Sequence, residues 1–233
     1  MGLLQTLHRT APRIAVRSLA KSGVFLASCL ISLFAMAPAS AHPHVFAEAR
    51  LELVIGPDRT VQALHHVWRF DEVFSSTVLL EFDKNKDLKL ENSELETVAK
   101  TIHDSLADYN YFQLVKQNGK DVPMQAPAKL MASFKDGQLI VFFETHPKTP
   151  LRLVAGRTDF GIYDPTFYTA IDFLKDEDMQ VKNLPSDCTR RVIRPDPDTA
   201  IAQNRSSLTD SFFADPTNLS QIFATKLQLE CKD

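Results

Sequence analysis

Apolar and polar residues alternate along two neighbouring stretches of the chain, residues 44–56 and residues 60–70. Val, Phe, Leu and Ile fill many of the apolar positions, and a short segment beginning Gly56-Pro57 separates the two stretches. Because successive side chains of a strand point to opposite faces of a sheet, this alternation is typical of half-buried β-strands. The pattern therefore predicts a β-hairpin.

The spacing of the apolar residues changes in the next part of the chain. Apolar residues recur three and four positions apart in residues 72–82 and again in residues 93–106. This spacing places them on one face of an α-helix, and Asn92 or Ser93 stands where a helix N-cap is needed for the second stretch. We therefore expect two helices that are separated by a charged loop.

Strand-like stretches return after the second helix, and Asn118-Gly119 and Asp136-Gly137 are strong hairpin signals between them. The predicted strands are residues 111–117, 128–134, 138–145, 151–155, 160–163, 167–173, 179–184 and 189–193. Many short strands with turns between them favour an antiparallel arrangement. The prediction is an α+β fold, mainly an antiparallel β sandwich or open barrel, with an EF-hand-like helix-loop-helix insertion at about residues 72–107.

The charged loop between the predicted helices has the residue spacing of an EF-hand calcium loop. The residues at its ligand positions are Asp83, Asn85, Asp87, Lys89 and Glu94. Lys89 would contribute its backbone carbonyl, and Glu94 would contribute two oxygens. The chemistry needs this spacing because a tight loop must fold oxygens from alternate residues around one hard cation. The loop is therefore a candidate calcium-type site.

One position of this loop departs from the pattern. An EF-hand loop normally has glycine at its sharp turn, and this sequence has Leu88 there. A left-handed backbone costs a residue such as leucine about 1 to 2 kcal/mol. We therefore expect either a weakened calcium site or a loop that keeps its shape without binding. The alternative is an acidic, solvated loop that only connects two helices.

The first 41 residues have the features of a secretory signal peptide. Basic residues without acidic ones precede an apolar run from Gly23 to Ala37, and the small residues Ala39-Ser40-Ala41 follow. A membrane anchor is the alternative, but the run is shorter than the roughly 20 residues that span a bilayer. We expect cleavage before His42, which would leave a single periplasmic domain over residues 42–233.

Charge and cysteine content narrow the possible functions. The chain carries 26 Lys and Arg against 29 Asp and Glu, and the predicted signal peptide contains only basic members of this set. An acidic mature chain argues against nucleic-acid binding. It also keeps an even pair of cysteines, Cys188 and Cys231, which predicts a disulfide in an oxidising compartment. A two-thiolate metal site is the alternative, although C-x-x-C spacing is absent.

Histidines gather at the predicted new N-terminus. Cleavage would expose an α-amine and the imidazoles of His42 and His44, which suit Zn²⁺, Ni²⁺, Co²⁺ or Cu²⁺. The predicted hairpin could bring one of two adjacent histidines on its second strand beside His44, and we expect this residue to be His66. These three histidines form the predicted transition-metal site. The other histidines of the mature chain are expected to be ordinary strand or helix residues: His65, His103 and His146.

Enzyme signatures are absent from the sequence. It contains no G-x-S-x-G, H-E-x-x-H, phosphate-binding glycine loop or dinucleotide fingerprint, and it has only seven glycines. We therefore predict no catalytic residues and a function other than an enzyme.

Several segments together resemble a known family. They are the start at His42-Pro43-His44-Val45-Phe46, the run Trp68-Arg69-Phe70-Asp71-Glu72-Val73-Phe74-Ser75, the EF-hand-like loop, Tyr111-Phe112, Tyr163-Asp164-Pro165 and the two late cysteines. The combination, which covers most of the mature chain, resembles the bacterial family of domain of unknown function 1007. The sequence departs from it at Leu88, where relatives usually carry glycine. The family is described as a periplasmic component of an uncharacterised ABC-type transport system, and its members accompany nickel, cobalt or zinc permeases.

The resemblance implies an accessory protein of metal transport. The expected function is to bind zinc, nickel or cobalt through the N-terminal histidines and to deliver it to an inner-membrane permease. Two alternatives remain. One is an interaction module that carries a structural calcium loop and docks on a membrane transporter, and the other is a copper enzyme with an N-terminal histidine brace.

Overall fold

The computed structural model describes residues 44–204 and 220–232. The predicted signal peptide and His42 lie outside these two ranges. Within them, no helix is long and apolar enough to cross a membrane.

The described chain consists mainly of β-strands, with a pair of helices after the first two strands. The strands in chain order are β1 (Val45–Ile55), β2 (Val61–Phe70), β3 (Gln113–Gln117), β4 (Lys120–Asp121), β5 (Leu130–Lys135), β6 (Gln138–Thr145), β7 (Gly156–Ile162), β8 (Thr169–Asp172), β9 (Met179–Lys182), β10 (Cys188–Ile193) and β11 (Lys226–Cys231). The helices are α1 (Glu72–Phe82), α2 (Asn92–Leu106) and α3 (Pro197–Gln203). Short 3₁₀ segments occupy Ala107–Phe112, Asp176–Asp178 and Ser220–Ile222.

The first sheet is built around β1 and β2, and its strand order is β5-β6-β2-β1-β8. The neighbouring pairs from β5 to β1 are antiparallel, whereas β8 and β9 both run parallel to β1. β8 pairs with the first half of β1 and β9 with the second half. The hairpin predicted from residues 44–56 and 60–70 is present as β1 and β2.

The second sheet has the strand order β10-β11-β7-β3-β4, and all its pairs are antiparallel. Large buried side chains from both sheets form the core, among them Trp68, Phe160, Phe173, Leu53, Leu139 and Leu227. In β1 every second residue is buried, as the alternation predicted. The predicted α+β fold is confirmed as a sandwich of two mostly antiparallel sheets, and the described strands do not close into a barrel.

The two predicted helices are present, and polar contacts hold α1 against the first sheet. Asp71 caps α1 by accepting a hydrogen bond from the Phe74 backbone at 2.9 Å, and it accepts a second from the Phe46 backbone at 2.9 Å. Ser75 is fully buried and accepts a hydrogen bond from the Leu139 backbone on β6 at 2.9 Å. These bonds fix the position of α1 on the sheet. The position of α1 in turn determines where the following loop begins.

Several strand predictions need correction, and the strand predicted at 160–163 begins earlier, at Gly156. Residues 151–155 are not a strand; the segment makes only an isolated bridge, between Thr60 and Arg152. The strand predicted at 111–117 begins later, at Gln113, because Tyr111 and Phe112 have positive φ angles of 52° and 58°. Both of these aromatic side chains are buried, so packing in the core accompanies the unusual backbone.

The predicted disulfide between Cys188 and Cys231 is present. The two cysteines lie directly opposite each other on the antiparallel strands β10 and β11. Their separation in sequence is 43 residues, and closing a loop of that length stabilises a fold by about 4 kcal/mol in the chain-entropy model. A bond of this kind is typical of proteins that reside outside the reducing cytosol.

Candidate metal sites

The loop between α1 and α2 folds around the side chain of Asp83. One carboxylate oxygen of Asp83 accepts hydrogen bonds from the backbone of Lys86 at 2.7 Å and of Asp87 at 3.3 Å. The other oxygen accepts one from the backbone of Leu88 at 2.7 Å. Leu88 has a φ angle of 63°, so it adopts the left-handed conformation that the sharp turn of an EF-hand loop requires.

The side chains of the next two predicted ligand residues also accept hydrogen bonds from the backbone of the loop. The Asn85 side-chain oxygen accepts a hydrogen bond from the Asp87 backbone at 2.9 Å. The Asp87 carboxylate accepts one from the Lys89 backbone at 3.0 Å. The backbone of the loop is thus wrapped around side-chain oxygens from three alternate residues.

Glu94 closes the loop from its far end. It lies in the first turn of α2 and is buried, with 5% of its surface exposed. Its two carboxylate oxygens accept hydrogen bonds from the backbones of Lys84 at 2.8 Å and Glu91 at 3.0 Å. The first and last acidic residues of the loop, Asp83 and Glu94, are therefore both held in its interior.

Glu91 and Glu94 interact directly. The hydrogen bond between their carboxyl groups raises the pKa of Glu91 and lowers the pKa of Glu94. Asn85 also donates a hydrogen bond to Glu91 at 3.2 Å. A cation that binds Glu94 would have to replace this contact.

His44 is exposed at the start of β1, and its surroundings hold it in place. Its backbone donates a hydrogen bond to the Tyr168 carbonyl at 2.9 Å, and the two rings lie 5.1 Å apart between centroids. Its predicted partner His42 lies outside the described residues. The structure therefore presents one imidazole of the predicted N-terminal cluster on a firmly paired strand.

His66 lies in the core and away from His44. Its ring stacks on Phe143 at 4.4 Å between centroids, and 1% of its surface is exposed. Burial lowers the pKa of His66 to about 3, so its ring is neutral. His66 stands opposite Leu51 on β1, and at about 3.3 Å per residue this is roughly 20 Å from His44 along the strand. The expected meeting of His44 and His66 does not occur, because the pleat turns His66 inward.

The outer face of the first sheet carries a polar cluster that sequence reasoning missed. Glu52, His65 and Glu144 lie opposite one another on β1, β2 and β6. His146 follows the end of β6 and contacts Glu144, and the four residues are named here the imidazole–carboxylate row. The His65 Nδ1 lies 3.0 Å from Glu52 and its Nε2 lies 2.9 Å from Glu144. The His146 Nε2 lies 2.9 Å from the second Glu144 oxygen. The sequence alone does not show which face of β2 meets the core, and the strand register reveals the two acidic neighbours of His65.

The row continues at both ends. Lys182 on β9 lies 2.8 Å from Glu52, and hydrogen bonds from Lys182 and His65 lower the pKa of Glu52. At the other end, the His146 Nδ1 lies 2.7 Å from the Gln62 carbonyl oxygen. In residues 44–204 and 220–232, no three His, Cys, Asp or Glu side chains already surround a point where a metal ion could sit. Both the loop and the row would have to rearrange side chains to take an ion.

The fold and these sites define a two-sheet α+β protein that carries a helix pair joined by an EF-hand-type loop. The chain belongs to the family of proteins of unknown function DUF1007, whose model matches residues 27–231. It is 24% identical over 207 residues to an uncharacterised protein of Haemophilus influenzae, a match that covers 88% of this chain and 98% of that protein. It is also 28% identical over 111 residues to an uncharacterised 15.5 kDa protein in the trpE 3' region of Spirochaeta aurantia, covering 45% of this chain and 74% of the relative. The family resemblance is thereby confirmed.

Proposed function

We propose that this protein is an extracytoplasmic module of a membrane transport system, and that it binds calcium in the loop of residues 83–94. The observation that supports this most strongly is the backbone of Leu88. It stays left-handed at φ 63° and donates to the Asp83 carboxylate, although leucine is disfavoured in this conformation. The loop thus keeps the turn that calcium binding needs.

The arrangement of oxygens supports calcium over a softer metal. The side chains that fold into the loop offer carboxylate and amide oxygens, and hard cations such as Ca²⁺ prefer these ligands. Glu94 stands at the start of α2 and Asp83 directly follows α1, so an ion bound by both would tie the two helices together. In this proposal the ion stabilises the helix pair, which then serves as a docking element.

The cellular setting of the proposal has separate support. The Cys188–Cys231 disulfide favours an oxidising compartment, in line with the predicted signal peptide. The link to a membrane transporter comes from the family resemblance of the sequence. The proposed partner is therefore an inner-membrane permease or ABC-type transporter.

Thermal unfolding of the purified protein tests the calcium proposal. A ligand that binds only the folded state stabilises it by about 2.7 kcal/mol when its concentration is 100 times its dissociation constant. We expect Ca²⁺ to raise the Tm of the wild-type protein relative to a chelator-treated sample, and Glu94→Gln to remove this shift. Glu96→Gln is the matched control, because Glu96 is exposed on the same helix. An equal shift in both variants would contradict the proposal.

A second candidate is delivery of zinc, nickel or cobalt to a permease through His42 and His44. The observation that favours it is the exposed His44 ring on the anchored start of β1. It predicts tight binding of one of these ions, measured by calorimetry on protein whose N-terminus is verified by mass spectrometry. His42→Ala with His44→Ala should abolish that binding, and retention of full affinity would reject the N-terminal site.

A further inference from the structure

Two imidazoles of the imidazole–carboxylate row present their Nε2 atoms to one carboxylate. The Nε2 atoms of His65 and His146 each lie 2.9 Å from a different oxygen of Glu144. The three residues come from β2, the end of β6 and the segment after it, so the sheet register itself brings them together. All three side chains are between 40% and 49% exposed, which leaves them room to turn.

The opposite nitrogen of each ring is already held by an oxygen acceptor. The His65 Nδ1 faces Glu52 at 3.0 Å, and the His146 Nδ1 faces the Gln62 carbonyl at 2.7 Å. Histidines that bind metals through Nε2 almost always donate Nδ1–H to a carboxylate or a backbone carbonyl, because this fixes the tautomer and aims the ring. Each imidazole of the row has one of these two supports in place.

All four ring nitrogens of the two imidazoles face oxygen atoms. A metal ion bound at the two Nε2 atoms would take the place of their contacts with Glu144, and any hydrogen that it displaced from an Nε2 atom would pass to solvent. The Glu144 carboxylate would offset part of the charge of the ion.

From these contacts we infer that the outer face of the first sheet holds a transition-metal site, with His65 Nε2, His146 Nε2 and the Glu144 carboxylate as ligands. Two imidazoles and a carboxylate suit Zn²⁺, Ni²⁺, Co²⁺ or Cu²⁺ and disfavour Ca²⁺. Three protein ligands leave a coordination position open for water or an incoming ligand, as in exchangeable zinc sites. Glu52 and the Gln62 carbonyl act as positioning groups behind the rings.

This site is separate from both proposals above. It does not use the calcium loop, and it lies near the middle of β2, whereas His44 precedes β1. A protein with His42→Ala and His44→Ala therefore isolates it. Calcium titration of the same protein reports on the loop independently, so the two proposals can fail or succeed separately.

Zinc titration by calorimetry tests the inference in the metal-stripped full chain carrying His42→Ala and His44→Ala. We expect one Zn²⁺ per chain to remain bound. Adding His65→Gln, His146→Gln or Glu144→Gln should lower the affinity at least 100-fold, and Glu52→Gln should lower it by roughly 10- to 100-fold. His103→Gln, a change to a histidine outside the row, should leave it unchanged.

Co²⁺ provides a measurement that would not change if the row histidines had only a structural role. Its visible absorption bands report the number and type of ligands, and they should change when either row histidine is replaced but persist in His103→Gln. Circular dichroism of each variant verifies that the sheet is intact. Loss of all zinc binding in the His42→Ala, His44→Ala protein, or equal affinity with and without His65 and His146, would overturn the inference.

Discussion

Leu88 donates its backbone N–H to the Asp83 carboxylate at 2.7 Å while its own φ angle is 63°. This bond joins the residue that departs from the EF-hand pattern to the first ligand position of the loop. The Leu88 side chain is 67% exposed, so its packing does not compensate for the unfavourable backbone. The loop keeps the turn because Asp83 collects the backbone N–H groups around it.

Replacing Leu88 with glycine should therefore stabilise the loop and strengthen calcium binding. Glycine adopts a left-handed backbone without the steric cost of about 1 to 2 kcal/mol that a side chain brings, and little packing is lost at an exposed position. We expect Leu88→Gly to raise the free energy of unfolding by about 1 kcal/mol in urea titrations. Lys89→Gly, at a neighbour without a positive φ angle, is the control and should destabilise the protein.

Calcium binding should weaken as the pH falls. The pKa of Glu91 is raised because its carboxyl group hydrogen-bonds to Glu94, a proposed calcium ligand. Calcium needs the unprotonated pair, so its affinity should fall as the pH drops through the raised pKa of Glu91. Calorimetric titrations at several pH values measure this. Glu91→Gln removes the titrating group and should flatten the profile; an unchanged profile would mean that another group is responsible.

His66 should make the fold less stable in mild acid. Its pKa is about 3 in the folded state, far below the ordinary value of 6.5, because burial disfavours the charged ring. The unfolded chain therefore binds the proton first, and the contribution of His66 is complete above pH 6.5 and declines as the pH falls towards 3. The slope is at most about 1.4 kcal/mol per pH unit.

Urea unfolding at a series of pH values would measure the contribution of His66. His66→Leu should reduce the pH dependence of stability between neutrality and mild acid, because an apolar residue in the same site has no proton to exclude. Equal slopes in the wild-type and His66→Leu proteins would contradict this account.

Local patterns predicted the elements well wherever one face is buried and the other solvated. The β1–β2 hairpin and the helices α1 and α2 follow directly from their periods. Residues 151–155 failed because buried Leu151 and Leu153 give the apolar pattern of a strand, although the segment makes only an isolated bridge. A single sequence contains no signal for the parallel pairing of β8 and β9 with β1, since that depends on distant segments.

The candidate sites differ in the same way: one lies within a single short segment, and the other depends on how distant strands pair. The calcium-type loop could be identified because all its residues lie within one short segment. The choice of His66 over His65 had no local signal behind it, because it depends on which face of β2 meets the core. The strand register then determines the surroundings of each histidine. The ring of His66 stacks on Phe143 in the core, whereas His65 lies between Glu52 and Glu144.

Calorimetric titration of the metal-stripped protein with Ca²⁺ tests the central claim most directly, because it counts the ions in the loop. The account predicts one Ca²⁺ per chain in the wild-type protein and in Glu96→Gln, and loss of that binding in Glu94→Gln. The account would be contradicted if the wild-type protein gave no heat of binding with Ca²⁺. It would also be contradicted if Glu94→Gln and Glu96→Gln bound Ca²⁺ equally.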